Sequence, residues 1–184
     1  MRAPSNLLDF QGNFAEKIHS RTGHWPFPMF LPYRLLWFKE HKPHLYEKIN
    51  SVLLLNNWIL YKLCGEKVTD PSNGIETVLI DLKKRDWDKE LIEEIGFDLS
   101  IFPPVLESGT VVGKVTKSAA TQCGLVKGIP VVLGGADTQC AMLGTSVINS
   151  GDIGVVLGTF GPVQMALSRP IISEPELCWS GCHV

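Results

Sequence analysis

A single aspartate, Asp137, follows the paired glycines of Val131-Val132-Leu133-Gly134-Gly135-Ala136-Asp137-Thr138-Gln139, where an apolar run stops and a helical pattern begins. A carboxylate in that place has two uses. It can cap the following helix by accepting hydrogen bonds from backbone N–H groups that have no other partner. At the C-terminal end of a strand, where open α/β sheets hold their ligands, it can instead take a proton from a substrate hydroxyl. Shortly afterwards, Val155-Val156-Leu157-Gly158-Thr159-Phe160-Gly161 sets glycines around a hydroxyl. Gly158, Thr159 and Gly161 could cradle a phosphate with convergent donors. The same residues also suit a tight hairpin, because positions with positive φ call for glycine whatever the ligand. Neither turn is a Walker loop or a dinucleotide fingerprint. A candidate base and a candidate phosphate loop in one short region point to phosphoryl transfer.

Other side chains with chemical potential are more ambiguous. Trp25, Phe27, Met29 and Trp37 are of types that usually fill cores. Trp25 and Phe27, however, lie in Thr22-Gly23-His24-Trp25-Pro26-Phe27-Pro28, a stretch whose prolines bar both helix and ladder, and such a loop can line a site. His24 beside them reads as a surface residue rather than a base. Cys178, Cys182 and His183 form a small cluster, but a structural zinc needs a fourth ligand and a better-matched spacing, so no metal is assigned. The chain has 5 cysteines, an odd count in a polypeptide too large to need staples, and they read as reduced thiols.

Composition narrows the classes of function. A chain of 184 residues has room for one domain with a sizeable core, or for a domain and a piece of another. Its formal net charge of -2 gives no pull toward nucleic acid or anionic lipid. No stretch approaches the roughly 18 uninterrupted apolar residues of a membrane helix, and Arg2, Pro4 and Asp9 interrupt any secretory leader. Nucleic acid and membrane are therefore not expected as partners, and a cytoplasmic location is.

The elements that must position the candidate residues alternate between helix and strand. Leu7, Phe10, Phe14 and Ile18 make one helical stripe within Asn6 to Ser20, and a second helix runs from Leu31 to His41 with Pro32 in its first turn. A short helix follows from Pro43 to about Ile49. Ser51 to Leu55 reads as a buried strand, then Asn57 to Cys64 as a helix stopped by Gly65. Thr69-Asp70-Pro71-Ser72-Asn73-Gly74 reads as a capping turn. The spacing predicts strands at Val78–Leu82, Gly109–Val115 and Ile129–Leu133, and helices at Asp88–Ile95, Lys117–Cys123 and Thr138–Leu143, with Gly96, Gly124 and Gly144 as stops. Asn149-Ser150-Gly151-Asp152 is the strongest turn signal, and a domain boundary is placed there. Beyond it, Ile153–Leu157 and Val163–Leu167 form a β-hairpin, which is marginal without further strands. Residues 1–150 thus read as one domain and residues 151–184 as the opening of another.

Taken in order, these motifs resemble the FGGY carbohydrate kinases. The resemblance runs through Thr22-Gly23, Leu35-Leu36-Trp37, Gly65-Glu66, Thr69-Asp70-Pro71-Ser72-Asn73, Arg85-Asp86-Trp87, Glu107-Ser108-Gly109 with Val112-Gly113, Gly134-Gly135-Ala136-Asp137-x-Gln139 and Leu157-Gly158-Thr159-x-Gly161. It implies an α/β fold of the ribonuclease H-like, actin/hexokinase type. Residues 1–150 would be the C-terminal part of a sugar-binding domain, and residues 151–184 the first hairpin of a second such domain, which binds nucleotide. It also implies ATP-dependent transfer to a hydroxyl of a small sugar or polyol, with Mg²⁺ on the nucleotide, and it admits a homodimer. By the match, Asp137 takes the place of the catalytic base. Gly158, Thr159 and Gly161 take that of a nucleotide-phosphate loop, and Arg2, Phe27, Met29, Asp137 and Gln139 contact the sugar. Within the family the details are similar to autoinducer-2 kinases, while the general pattern also suits xylulokinases.

The chain departs from the family pattern at Ala136, where a third glycine is usual, and at Phe160, where serine is usual. The family's first phosphate loop is not in the sequence, and Met1-Arg2-Ala3 resembles the interior of its aspartate-x-arginine segment. The expectation is a piece of a kinase that carries the base and half of the nucleotide site, inactive alone. The alternative is a non-catalytic sugar-binding or assembly module.

Overall fold

The computed structural model describes residues 7–158, 161–172 and 178–184. Helix α1 (Leu7–Thr22) turns Phe10 and Ile18 inward, and Gly23, at φ 74°, ends it in the left-handed region that favours glycine. The proline loop leads to α2 (Leu31–His41), which buries Tyr33 and Leu35, and then to the short α3 (Pro43–Tyr46). Helix α4 (Leu55–Cys64) is followed by the brief α5 (Pro71–Gly74). Strands β1 (Ile80–Asp81) and β2 (Asp86–Trp87) pair as a small antiparallel hairpin, with Ile80 opposite Trp87. Helix α6 (Lys89–Ile95) is capped by Asp88, whose carboxylate accepts from Leu91 N at 3.0 Å and from Arg21 Nη1 at 2.8 Å.

Strands β3 (Val111–Lys114) and β4 (Pro130–Val132) pair antiparallel with α7 (Lys117–Cys123) between them, and α8 (Asp137–Gly144) follows. Strands β5 (Ile153–Val155) and β6 (Val163–Met165) form the last hairpin, in the register Gly154 opposite Gln164.

Two cores result. The larger gathers α1, α2, the β1–β2 hairpin and α6 around Ile18, Tyr33, Leu79, Ile80, Leu91 and Ile92, and Cys182 packs into it from the other end of the chain. The smaller places α4 and α7 against β3–β4 around Leu60, Val68, Val115, Ala119, Val131 and Leu133. Thr69 bridges them, since its N–H donates to Pro104 O and its carbonyl accepts from Leu106 N. Among the described residues no helix is long and apolar enough to cross a membrane.

The structure corrects several expectations. No strand forms at Ser51–Leu55: Val52 N donates to Ile101 O at 2.8 Å, no ladder follows, and Leu55 is already the first residue of α4. An apolar run of that length satisfies strand and helix patterns equally, and here only Leu55 joins the helix while residues 51–54 stay irregular. The strand expected over Val78–Leu82 shrinks to Ile80–Asp81, because Val78, at φ 56°, closes a 3₁₀ turn. Among the described residues the three sheets are each two-stranded and antiparallel rather than parts of one open sheet. His24 is buried, not on the surface, and burial lowers its pKa to about 4.

Candidate functional site

The turn that carries Asp137 begins from a fixed point. Leu133 is 1% exposed, its N–H donates to Thr110 O, and its carbonyl accepts from Gly109 N, each at 2.8 Å. Beyond it the chain has little freedom. A Cβ on Gly135 would lie 2.1 Å from Val184 Cγ1 and 2.8 Å from Ser72 Oγ, so only glycine lets the backbone pass. Ala136 N then donates to Ser72 Oγ at 2.9 Å. The Ser72 hydroxyl donates in turn to the Asp70 carboxylate, which also accepts from Asn73 N at 3.0 Å and Asn73 Nδ2 at 2.9 Å.

Asp137 is the first residue of α8 and is exposed, with Oδ1 accepting from Thr138 N at 2.7 Å. The helix thus starts one residue earlier than the sequence suggests, with Ala136 in the capping position and making no side-chain cap. Asp137 remains in the first turn, where the partial positive charge of the helix end favours a carboxylate. Glu76 is its acidic neighbour: burial, and then the charge of Asp137, push the Glu76 carboxyl above its ordinary value. Nothing in the sequence marked Glu76, because the pairing depends on the 3₁₀ turn Ile75–Thr77 coming near the start of α8.

Gln139 lies two residues further along α8, and its Oε1 accepts from Thr138 Oγ1 at 2.7 Å. With Met142 it lines one wall of a cleft of about 600 Å³. Gln164 and Met165 of β6 line another wall, and Arg85, Trp179 and His183 are also in its lining. The hairpin is seated on the helix that Asp137 starts, since a Cβ on Gly154 would fall 2.2 Å from Met142 Sδ. Gly158 and Gly161 are both exposed, and a Cβ on Gly161 would meet only Val156 O, at 3.9 Å. Arg2 and Thr159 lie outside the described residues.

Phe27 and Met29 are 41% and 53% exposed, and neither they nor Asp137 line the cleft. Phe27 reaches its wall through Trp179, whose ring centroid is 5.8 Å away and which also meets His24 edge-on at 5.1 Å. Arg85 holds Glu107 with two hydrogen bonds and donates to the His183 carbonyl at 3.0 Å. His183 Nε2 lies 3.1 Å from Val147 O, and burial pushes the Cys182 thiol up to about 11. Cys182 and His183 therefore serve packing and backbone bonding. The structure places Asp137 and Gln139 on α8, sets the hairpin against that helix through Gly154 and Met142, brings only Gln139 of the predicted residues into the cleft lining, and leaves Phe27, Met29, Asp137, Gly158 and Gly161 out of it.

Residues 6–144 match the family described as FGGY family of carbohydrate kinases, N-terminal domain. The autoinducer-2 kinase of Escherichia coli (strain SMS-3-5 / SECEC) is 37% identical over 177 residues, which are 96% of this chain and 33% of that protein. The autoinducer-2 kinase of Enterobacter sp. (strain 638) is 44% identical over 145 residues, 78% of this chain and 27% of that protein. Among solved structures, the xylulose kinase from Rhodospirillum rubrum superposes with a TM-score of 0.86 at 26% identity, over 95% of this chain and 36% of its own. The chain thus spans about a third of the curated relatives it matches, and its α/β fold is that of the actin/hexokinase-type sugar kinases. On the match over residues 6–144, the chain belongs to the FGGY family of carbohydrate kinases.

Proposed function

We propose that this chain is the sugar-binding part of an ATP-dependent kinase, together with the first hairpin of its nucleotide domain, and that the complete protein phosphorylates a hydroxyl of a small sugar or polyol. The observation that carries this reading is the exposed carboxylate of Asp137 on a turn whose backbone is fixed, with the glycine hairpin packed on the same helix. In the reaction Asp137 accepts the proton of the attacking hydroxyl as the new O–P bond forms and the bond to the nucleotide's leaving oxygen breaks. The substrate class is the one in the names of the autoinducer-2 kinases, and a xylulokinase-like sugar fits the same machinery.

The open space around Gly161 suits approach of a phosphate chain, so Gly158, Thr159 and Gly161 are assigned to hold it. Arg2, Phe27, Met29 and Gln139 are assigned to the sugar. Mg²⁺ would shield the phosphate charge. Among the described residues no group of three or more His, Cys, Asp or Glu side chains converges to hold it, so no protein ligand is named. A homodimer finds support in the apolar strip of Leu55, Trp58 and Ile59 on α4, which are 75%, 50% and 49% exposed. A cytoplasmic location goes with the use of ATP.

The test is Asp137→Asn in the complete kinase. Turnover should fall by about 10²–10⁴-fold while sugar affinity stays within about threefold, because a general base acts in the transition state. Equal losses in both quantities would make Asp137 a helix-end residue only. The 184-residue chain by itself should bind sugar without consuming ATP.

A further inference from the structure

The N–H of Ala136 sits immediately before the candidate base, and the residue around it is 8% exposed. A buried donor of this kind must find an acceptor inside the protein. It finds one 64 residues away in sequence, at Ser72 Oγ, and not in the capping side chains that usually serve a helix start. Ser72 is 1% exposed and Asp70 0% exposed, so water does not compete for either. The hydroxyl also donates to the Asp70 carboxylate, whose other acceptor sites are taken by Asn73. A hydroxyl that donates to a carboxylate is a stronger acceptor for the next donor, so the chain Asp70 to Ser72 to Ala136 is cooperative. The missing side chain of Gly135 is what allows Ser72 Oγ so close to the turn.

We infer that Ser72 is a positioning residue for the reaction: through Ala136 N it fixes the backbone that aims the Asp137 carboxylate. Its catalytic consequence rests on the kinase reading above. Ser72 touches neither sugar nor nucleotide in this role. It sets the direction of α8 where α8 begins, and a shift there displaces the base from the hydroxyl it must deprotonate. The turnover number should then suffer while sugar affinity does not.

Two measurements test this. In the 184-residue chain, hydrogen exchange read by NMR should be faster by about tenfold or more at the Ala136 amide in Ser72→Ala and Ser72→Cys. The Leu133 amide, bonded to Thr110, serves as the internal reference and should not change. Cysteine nearly preserves the volume and offers a weak acceptor, so it keeps the test valid if alanine disturbs folding. Ser72→Thr retains the hydroxyl and should restore protection. In the complete kinase, Ser72→Cys should lower kcat by on the order of 10–100-fold with KM for the sugar within about twofold, as expected for a misplaced catalytic group.

Unchanged exchange at Ala136 in Ser72→Cys would overturn the inference. So would an unchanged kcat in Ser72→Cys where Asp137→Asn is inactive. If Asp137→Asn keeps full turnover, the kinase role of that residue falls instead, and the exchange measurement still decides whether Ser72 holds the turn.

Discussion

In the larger core Leu79, Ile80, Leu91 and Ile92 are each 0% exposed, whereas in the last hairpin Ile153, Val155, Val163 and Met165 keep 55%, 55%, 69% and 52% of their surface exposed. Both regions are built from the same kinds of residue. The first holds its shape because helices α1, α2 and α6 close over the β1–β2 hairpin. The second is two strands resting on one helix through the Gly154–Met142 approach, and isolated hairpins are marginal in water. The candidate base lies where one regime gives way to the other. Within four residues the chain passes from Leu133, 1% exposed, to the exposed Asp137. A site placed there takes rigidity from the buried side and access from the open one.

The largest expected break in this contrast comes from the sealed side. Leu91→Ala should cost about 2–5 kcal/mol in urea unfolding, as truncation of a fully buried leucine does; a cost below about 1 kcal/mol would mean that α6 is not part of the cooperative unit. Acid acts next. His24 is 4% exposed and its pKa lies near 4, against 6.5 for the ordinary group, so the unfolded chain binds its proton first as pH falls. Stability associated with His24 is whole above pH 6.5 and declines toward pH 4, by about 1.4 kcal/mol per unit and about 3 kcal/mol in all. His24→Gln should remove that slope from unfolding midpoints measured across the window; an unchanged slope would assign it to other groups. The smallest effect belongs to the open side. Val163→Thr should change stability by no more than about 0.5 kcal/mol, as exposed positions do. A loss rivalling that of Leu91→Ala would show that the hairpin face is covered in solution.

Much of this arrangement was legible in the sequence wherever local chemistry decides it. Gly65, Gly96 and Gly124 end their helices in left-handed geometry, at φ 87°, 86° and 73°, as their positions behind apolar periodic runs suggest. The Asp70 cap and the β5–β6 hairpin were equally readable, because capping and tight turns depend on neighbouring residues. What depended on distant partners was not. Ser51–Leu55 had the composition of a strand and no strand to pair with. His24 became a core residue through the rings of a segment far along the chain. In the site, Asp137, Gln139 and the glycines were visible as motifs. Ser72 was visible only as part of a capping turn and Glu76 not at all, since the Ser72 bond to Ala136 and the Glu76 approach to Asp137 arise only when the segment 70–77 meets the start of α8.

Trp179 and Cys182 pack back beside residues of the larger core, Cys182 among its buried members and Trp179 against Phe27 and Phe30. The polypeptide that departs along α8 and runs out through the hairpin therefore comes home to the body it left, so the exposed excursion is a closed stitch, not a trailing end. A single protease nick between Ile148 and Ile171 would sever the covalent backbone and still leave both pieces clasped by the buried thiol and the packed indole.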